Sequence, residues 1–146
     1  MGGLMSRNKG KRGEREVIKL MEPVLRGVYE DAGLLDELPK LQRNTLQSDG
    51  GGFDIVGLEW LALEVKYQEQ FNLSGWWKQC AAQCGRGQEP VLIYRKNNVK
   101  WRVRMFGLLP AGNKRIRTIC DITGDAWLVW LRERVIAELE TRGLRR

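Results

Sequence analysis

GGGFDIVGLEWLALEVK, residues 50–66, is the stretch from which the rest of the chain can be read. Phe53–Leu58 and Trp60–Tyr67 are β-rich runs, and the tight connection near Gly57–Glu59 predicts a hairpin. Glu64 and Lys66 stand two apart on one strand, so both leave the same face of the sheet. With the turn centred on Leu58 and Glu59, Asp54 lies opposite Glu64, the Cβ atoms about 5 Å apart. A register slip of one residue would send these groups to opposite faces.

Two carboxylates beside an ammonium make a poor structural device among Phe53, Ile55, Val56, Leu61, Leu63 and Val65, where an unpaired charge is costly. A hard divalent cation resolves the conflict: Mg²⁺, with Mn²⁺ as a substitute, takes one or two carboxylates, waters and phosphate oxygens. Asp54 and Glu64 would be its ligands, with the Val65 carbonyl as a further donor. Such an ion lowers the pKa of bound water and stabilises charge on a phosphate. Lys66 would orient or help deprotonate that water, or neutralise the developing negative charge. A bare Glu-x-Lys is more simply an exposed ion pair worth under about 1 kcal/mol. Asp54 at its spacing, the Gly-rich approach and an upstream helical Glu favour catalysis.

Outward from this centre, residues 1–13 are rich in Gly, Lys and Arg and are expected to form a flexible basic arm. Residues 14–146 would then be one domain, a size that can bury a real core. The spacing predicts a helix from Glu14 to Arg26, with Val17, Leu20, Met21, Val24, Leu25 and Val28 as its apolar stripe and Pro23 as a kink. At about 100° per residue, Glu14 falls within that stripe and Glu16 outside it. Residues 31–40 read as a loop and Lys40–Gln47 as a strand. A helix follows over Ser74–Gly85, with Ser74 its N-cap and Gly85 its stop. Pro90–Tyr94 and Lys100–Phe106 read as strands about an Asn97-Asn98 turn, and Asp125 would cap a last helix. The order α-β-β-β-α-β-β-α describes an α/β fold, a central mixed sheet flanked by helices.

The formal charge is +7 and the distribution is uneven. Arg7, Lys9, Lys11, Arg12 and Arg15 crowd the start, and eight basic residues with no acid run from Arg95 to Arg117. Two such runs about an acidic centre point to nucleic acid. The chain has no histidine, which excludes His metal sites, Ser-His triads and nucleases with a His base. Cys80 and Cys84, one helical turn apart, lack the further ligands of a zinc site and read as small buried residues. No apolar run is long enough to span a membrane, no secretory segment stands out, and the thiols suit a reducing compartment. A cytoplasmic protein is expected, in a bacterial host's cytoplasm if phage-encoded.

These motifs resemble the PD-(D/E)xK nuclease superfamily, and within it the archaeal-type Holliday junction resolvases and their phage relatives. Lys9-Gly10-Lys11-Arg12-Gly13-Glu14-Arg15-Glu16 is similar to that group's opening helix start. Phe53-Asp54 stands where the family has Pro-Asp, and Glu64-Val65-Lys66 is its Glu-x-Lys element. Pro90–Tyr94 and Trp101-Arg102-Val103 resemble its later strands. The likeness covers roughly residues 7–106 and implies a restriction-endonuclease-like sheet. It implies Asp54 and Glu64 as metal ligands, Lys66 as the catalytic lysine, Glu14 as the acid completing the site, and Arg43 as a basic residue near the scissile phosphate. It also implies a homodimer that nicks four-way DNA junctions in pairs. DNA contacts would come from Arg7, Lys9, Lys11, Arg12, Arg15 and Arg43.

Other residues stay open between two readings. Gln79 and Gln83 could orient metal-bound water or face solvent. Trp76 and Trp77 could stack on unpaired bases or belong to the core. The stripe of Trp127, Trp130 and Leu131 fits a dimer seam or packing within the chain. Asp49 reads as a turn residue. Alternative functions are a nuclease for linear, branched or single-stranded DNA with the same site, and a non-catalytic DNA-binding module in which Asp54 and Glu64 merely pair with nearby cations.

Overall fold

The structure, a computed structural model, describes residues 2–45 and 53–143. Its elements are α1 (Gly2–Asp31), β1 (Gln42–Arg43), β2 (Ile55–Val56), β3 (Leu61–Tyr67), α2 (Leu73–Gln83), β4 (Glu89–Arg95), β5 (Arg102–Ala111), β6 (Lys114–Thr123) and α3 (Gly124–Thr141). The six strands form one sheet in the order β1-β2-β3-β4-β5-β6. Only β3 and β4 run parallel, joined through α2; the other neighbours are antiparallel. The expected α/β architecture, a mixed sheet flanked by helices, is therefore what the chain adopts.

The sheet separates two apolar layers. On one face Leu61, Leu63, Val65, Val91, Ile93, Val103 and Met105 meet the stripe of α1 (Val17, Met21, Leu25, Val28) and that of α3 (Trp127, Leu131, Val135, Leu139). Each fully buried aliphatic side chain contributes roughly 1.5–3 kcal/mol. On the other face the short α2 lays Trp76, Trp77 and Cys80 on Leu92 and Tyr94. β3 and β4 are covered on both sides, which is why they read as nearly unbroken apolar runs.

Several boundaries differ from the sequence reading. The helix expected from Glu14 begins at Gly2, so the basic segment expected as a separate arm forms its first turns. Arg and Lys are good helix formers, and Lys9 and Arg12 find carboxylates at Glu69 (3.1 Å) and Glu16 (3.3 Å). The helix also continues through Pro23 to Asp31, because Pro23 is exposed while Leu25, Val28 and Tyr29 beyond it are buried. Asn72, not Ser74, caps α2, accepting from the Gly75 N–H at 3.3 Å, and the helix stops at Gln83 rather than Gly85. Thr123, not Asp125, caps α3, and Asp125 sits in the first turn, where its charge suits the helix dipole. β1 is two residues long; the rest of its expected span beyond Thr45, Asp49 and the Gly-rich approach lie outside the described residues.

β5 runs to Ala111 and pairs with β6, a strand that the sequence reading omits. Ile116, Ile119 and Ile122 recur every third residue, so β6 shows no period of two, and its strand character comes from pairing with β5.

Candidate active site

The β2–β3 hairpin adopts the expected register. Ile55 pairs with Leu63, which places Asp54 opposite Glu64. The turn works because Gly57 takes φ +134°, and a Cβ there would stand 2.5 Å from the Lys40 carbonyl oxygen. β2 begins only at Ile55, and Asp54 just before it lies in a bend instead of extending the ladder. Its backbone N–H donates to the Leu63 carbonyl (3.0 Å), and its Oδ2 accepts from the Val65 N–H at 2.7 Å. The carboxylate is thus held at a set angle beside the strand carrying the other two groups.

Asp54 and Glu64 are the two buried charged side chains of the described core, at 9% and 5% exposure. They stand close enough for the carboxyls to hydrogen-bond, and the pair cannot both ionise cheaply. Burial first, then the Asp54 charge, pushes Glu64 up to about 8, against the pull of the Lys66 ammonium. Lys66 is half-buried on the Glu64 face, its Nζ 5.9 Å from the centre of the Trp76 ring.

Glu14, and not Glu16, approaches this pair, as the helical phase predicts. Burial raises its pKa, a hydrogen bond from Arg43 opposes that, and the Asp54 charge raises it again. Its carboxylate is bound by Arg43 Nε at 2.7 Å. Arg43 shares a ladder row with Ile55 and Leu63, whose side chains enter the α1 layer, whereas Glu64 and Lys66 alternate onto the α2 side. Glu14 and Arg43 therefore reach the pair from the α1 side, near enough for the Glu14 charge to act on Glu64, whereas Glu64 leaves β3 on the α2 side. Among the described residues, no three His, Cys, Asp or Glu side chains converge closely enough to hold a metal. The set on offer is two carboxylates and a backbone carbonyl at Val65, all hard oxygens. Buried and mutually repelling, they fit a hard divalent cation that keeps several waters.

Glu16 pairs with Arg12 and with Arg95 at 3.0 Å, which ties α1 to the end of β4. Of the expected DNA contacts, Arg7, Lys11, Arg12 and Arg15 are exposed along α1, while Lys9 is engaged by Glu69. Gln79 is exposed and Gln83 half-buried on α2. Trp76 and Trp77 are core residues, so the base-stacking reading falls. The α3 stripe packs within the chain, Trp127 and Leu131 being fully buried, which removes it as a dimer seam.

Two features add to the sequence reading. One is the Glu14–Arg43 pair, which joins residues 29 apart. The other is Cys80, buried near Glu64, its thiol pushed up to about 12 by burial and then by the Glu64 charge. As the helical spacing suggests, it is an inert packing residue.

No family model matches the chain, and no curated protein matches it. Among solved structures, it is similar to Hjc, a Holliday junction resolvase from the archaeal hyperthermophile Archaeoglobus fulgidus. The identity is 18% and the TM-score 0.37, over 77% of this chain and 96% of that one. At such a distance the functional reading rests on the geometry of the site.

Proposed function

We propose that the chain is a divalent-metal-dependent DNA endonuclease of the PD-(D/E)xK kind. The observation that carries this is the buried Asp54–Glu64 pair, brought together by the β2–β3 hairpin with Lys66 beside it. Asp54, Glu64 and the Val65 carbonyl would hold Mg²⁺ or Mn²⁺. When bound, such an ion supplies Lewis-acid stabilisation of the phosphate and a water of lowered pKa. The chain's own residues do the rest. Asp54 is pre-aimed by the Val65 N–H. Lys66 would offset the negative charge of the pair and the charge that develops on a phosphate there. Arg43 binds Glu14 through Nε, and its guanidinium would also meet a phosphate oxygen.

The substrate we propose is the four-way DNA junction, nicked on opposed strands by a twofold dimer. Cleavage of linear, branched or single-stranded DNA would use the same groups. One observation favours a different reading: Glu14 is tied to Arg43 instead of closing a three-acid cage. A non-catalytic DNA-binding module would look the same there. Incubation with a labelled four-way junction beside linear duplex, with Mg²⁺ and with chelator, separates these readings. Metal-dependent paired nicks confined to the junction support the proposal. Binding with no nick under either condition leaves the binding module.

A further inference from the structure

β5 and β6 continue beyond the sheet that holds them. β4 pairs with β5 only from Arg102 to Met105, whereas β5 and β6 stay paired from Gly107–Thr118 out to Ala111–Lys114. The outer part is a two-stranded ribbon with no third strand among the described residues. Such ribbons are marginal in water by themselves. This one also exposes Leu108 at 63% and Ile116 at 50%. Its strands carry Lys114, Arg115 and Arg117, all exposed, and residues 107–118 contain no acid. Among the described residues none of the three cations has an acidic partner, in contrast to Arg104, which is bound by Asp121, and Arg95, bound by Glu16. Arg117 instead lies over the Phe106 ring at 3.7 Å.

The ladder also fixes which way these cations face. Glu64 lies in one row with Leu92, Arg104 and Asp121. Two and four residues further along β6 toward the ribbon's tip, the 119 and 117 positions keep the same side, as does 115. Arg115 and Arg117 therefore leave the sheet on the side of Glu64 and Lys66. By strand spacing and rise, the backbone of Arg117 lies roughly 20 Å from that of Glu64. That span is roughly six base pairs along a duplex.

We infer that the β5–β6 ribbon is a second DNA contact: it grips the phosphate backbone of the duplex arm whose scissile phosphate lies at Asp54 and Glu64. This rests on the nuclease reading and adds the element that holds the flanking arm. A two-stranded ribbon has the width of a major groove, and unpaired cations of one sign complement phosphate. The exposed leucines and isoleucines alone would equally suit a second copy of the chain. Arg115 and Arg117, facing the same side as the carboxylates, select nucleic acid.

The test is fluorescence anisotropy with a labelled four-way junction in chelator, at several salt concentrations. It compares the wild-type chain with the double variant Arg115→Gln, Arg117→Gln, the two cations on the Glu64 side. Both positions are exposed, and a thermal melt of each protein checks folding. Roughly tenfold weaker binding is expected, with the slope of log affinity against log salt reduced by about 2. A single Arg117→Gln variant should reduce that slope by about 1. Unchanged affinity and slope in a folded double variant would overturn the ribbon contact, while wild-type binding still supports the nuclease reading. If the wild-type chain binds no DNA, both fall. Sedimentation of Leu109→Ser, Ile116→Ser beside wild type reveals the second-copy alternative. A loss of mass there, with the cation variant binding normally, assigns the ribbon to self-association and also overturns the inference.

Discussion

Asp54, Glu64 and Lys66 occupy one small volume, and each substitution there separates a different quantity. Asp54→Asn and Glu64→Gln keep the shape of the pair and remove charge. Each should lower junction cleavage at least a hundredfold, roughly the scale of losing one preorganised stabilising group. Junction binding in chelator should stay within about twofold, since phosphate contacts elsewhere dominate affinity. Gel assays of nicking and of binding on the same preparations check both; retained cleavage in either variant would sink the assignment. Glu64 also has a consequence for stability. Its folded pKa, about 8, lies above the ordinary carboxyl value. The folded metal-free chain therefore holds a proton that the unfolded chain has lost between about pH 4.5 and about pH 8. That contribution is present at low pH and is lost as pH rises through the folded value. Glu64→Gln should raise Tm over wild type more at pH 8 than at pH 5, in chelator, by scanning calorimetry. An equal effect at both pH values would refute the shift. Arg43 acts through Glu14: Arg43→Ala should weaken cleavage, with partial rescue by Arg43→Lys, and should lower Tm because it strands a half-buried carboxylate.

The β2–β3 hairpin is the element that converts two short runs into a site. β2 is only two residues long and bonds to β3 through a single ladder pair, so the register depends on the turn. Gly57 makes that turn at φ +134° against the Lys40 carbonyl. Gly57→Ala should cost about 2 kcal/mol or more from backbone strain and overlap. It should also lower metal-dependent cleavage by moving Asp54 relative to Glu64. Urea denaturation and nicking assays measure the two effects; a variant of unchanged stability would show that the hairpin does not depend on this glycine. α1 plays a different part. Its apolar stripe seats it on the sheet, and the same phase brings Glu14 to Arg43 and sends Glu16 to Arg95. Arg95 lies between the rings of Tyr67 (4.3 Å) and Trp101 (5.2 Å), which fixes the helix at the carboxyl ends of β3 and β4.

For the whole molecule, the net charge of +7 matters through its distribution. Exposed cations line α1 at Arg7, Lys11, Arg12 and Arg15, and a second group stands on the β5–β6 ribbon. Association with DNA should therefore fall steeply between about 50 and about 200 mM salt, in chelator as well as in Mg²⁺. Salt-independent binding would be incompatible with phosphate contacts from these surfaces. No helix among the described residues is long and apolar enough to cross a membrane.

Local spacing by itself determined much of this protein. The alternation around Glu64 and Lys66, the turn at Gly57 and the helical phase of Glu14 are short-range properties, set by residues a few positions apart. They were enough for the α/β class, the hairpin register and the placing of Asp54 opposite Glu64. Tertiary structure alone decided what depends on partners distant in the chain. β6 is a strand because β5 pairs with it, despite a helix-like spacing of its isoleucines. The basic N-terminal segment is helical, and it is partly neutralised because Glu69 lies across from Lys9. Glu14 is held by Arg43 beside the Asp54–Glu64 pair because α1 and β1, far apart in the chain, are packed together. Hydrophobic period is written along the chain, whereas the pairing of charges depends on which elements the folded core brings together.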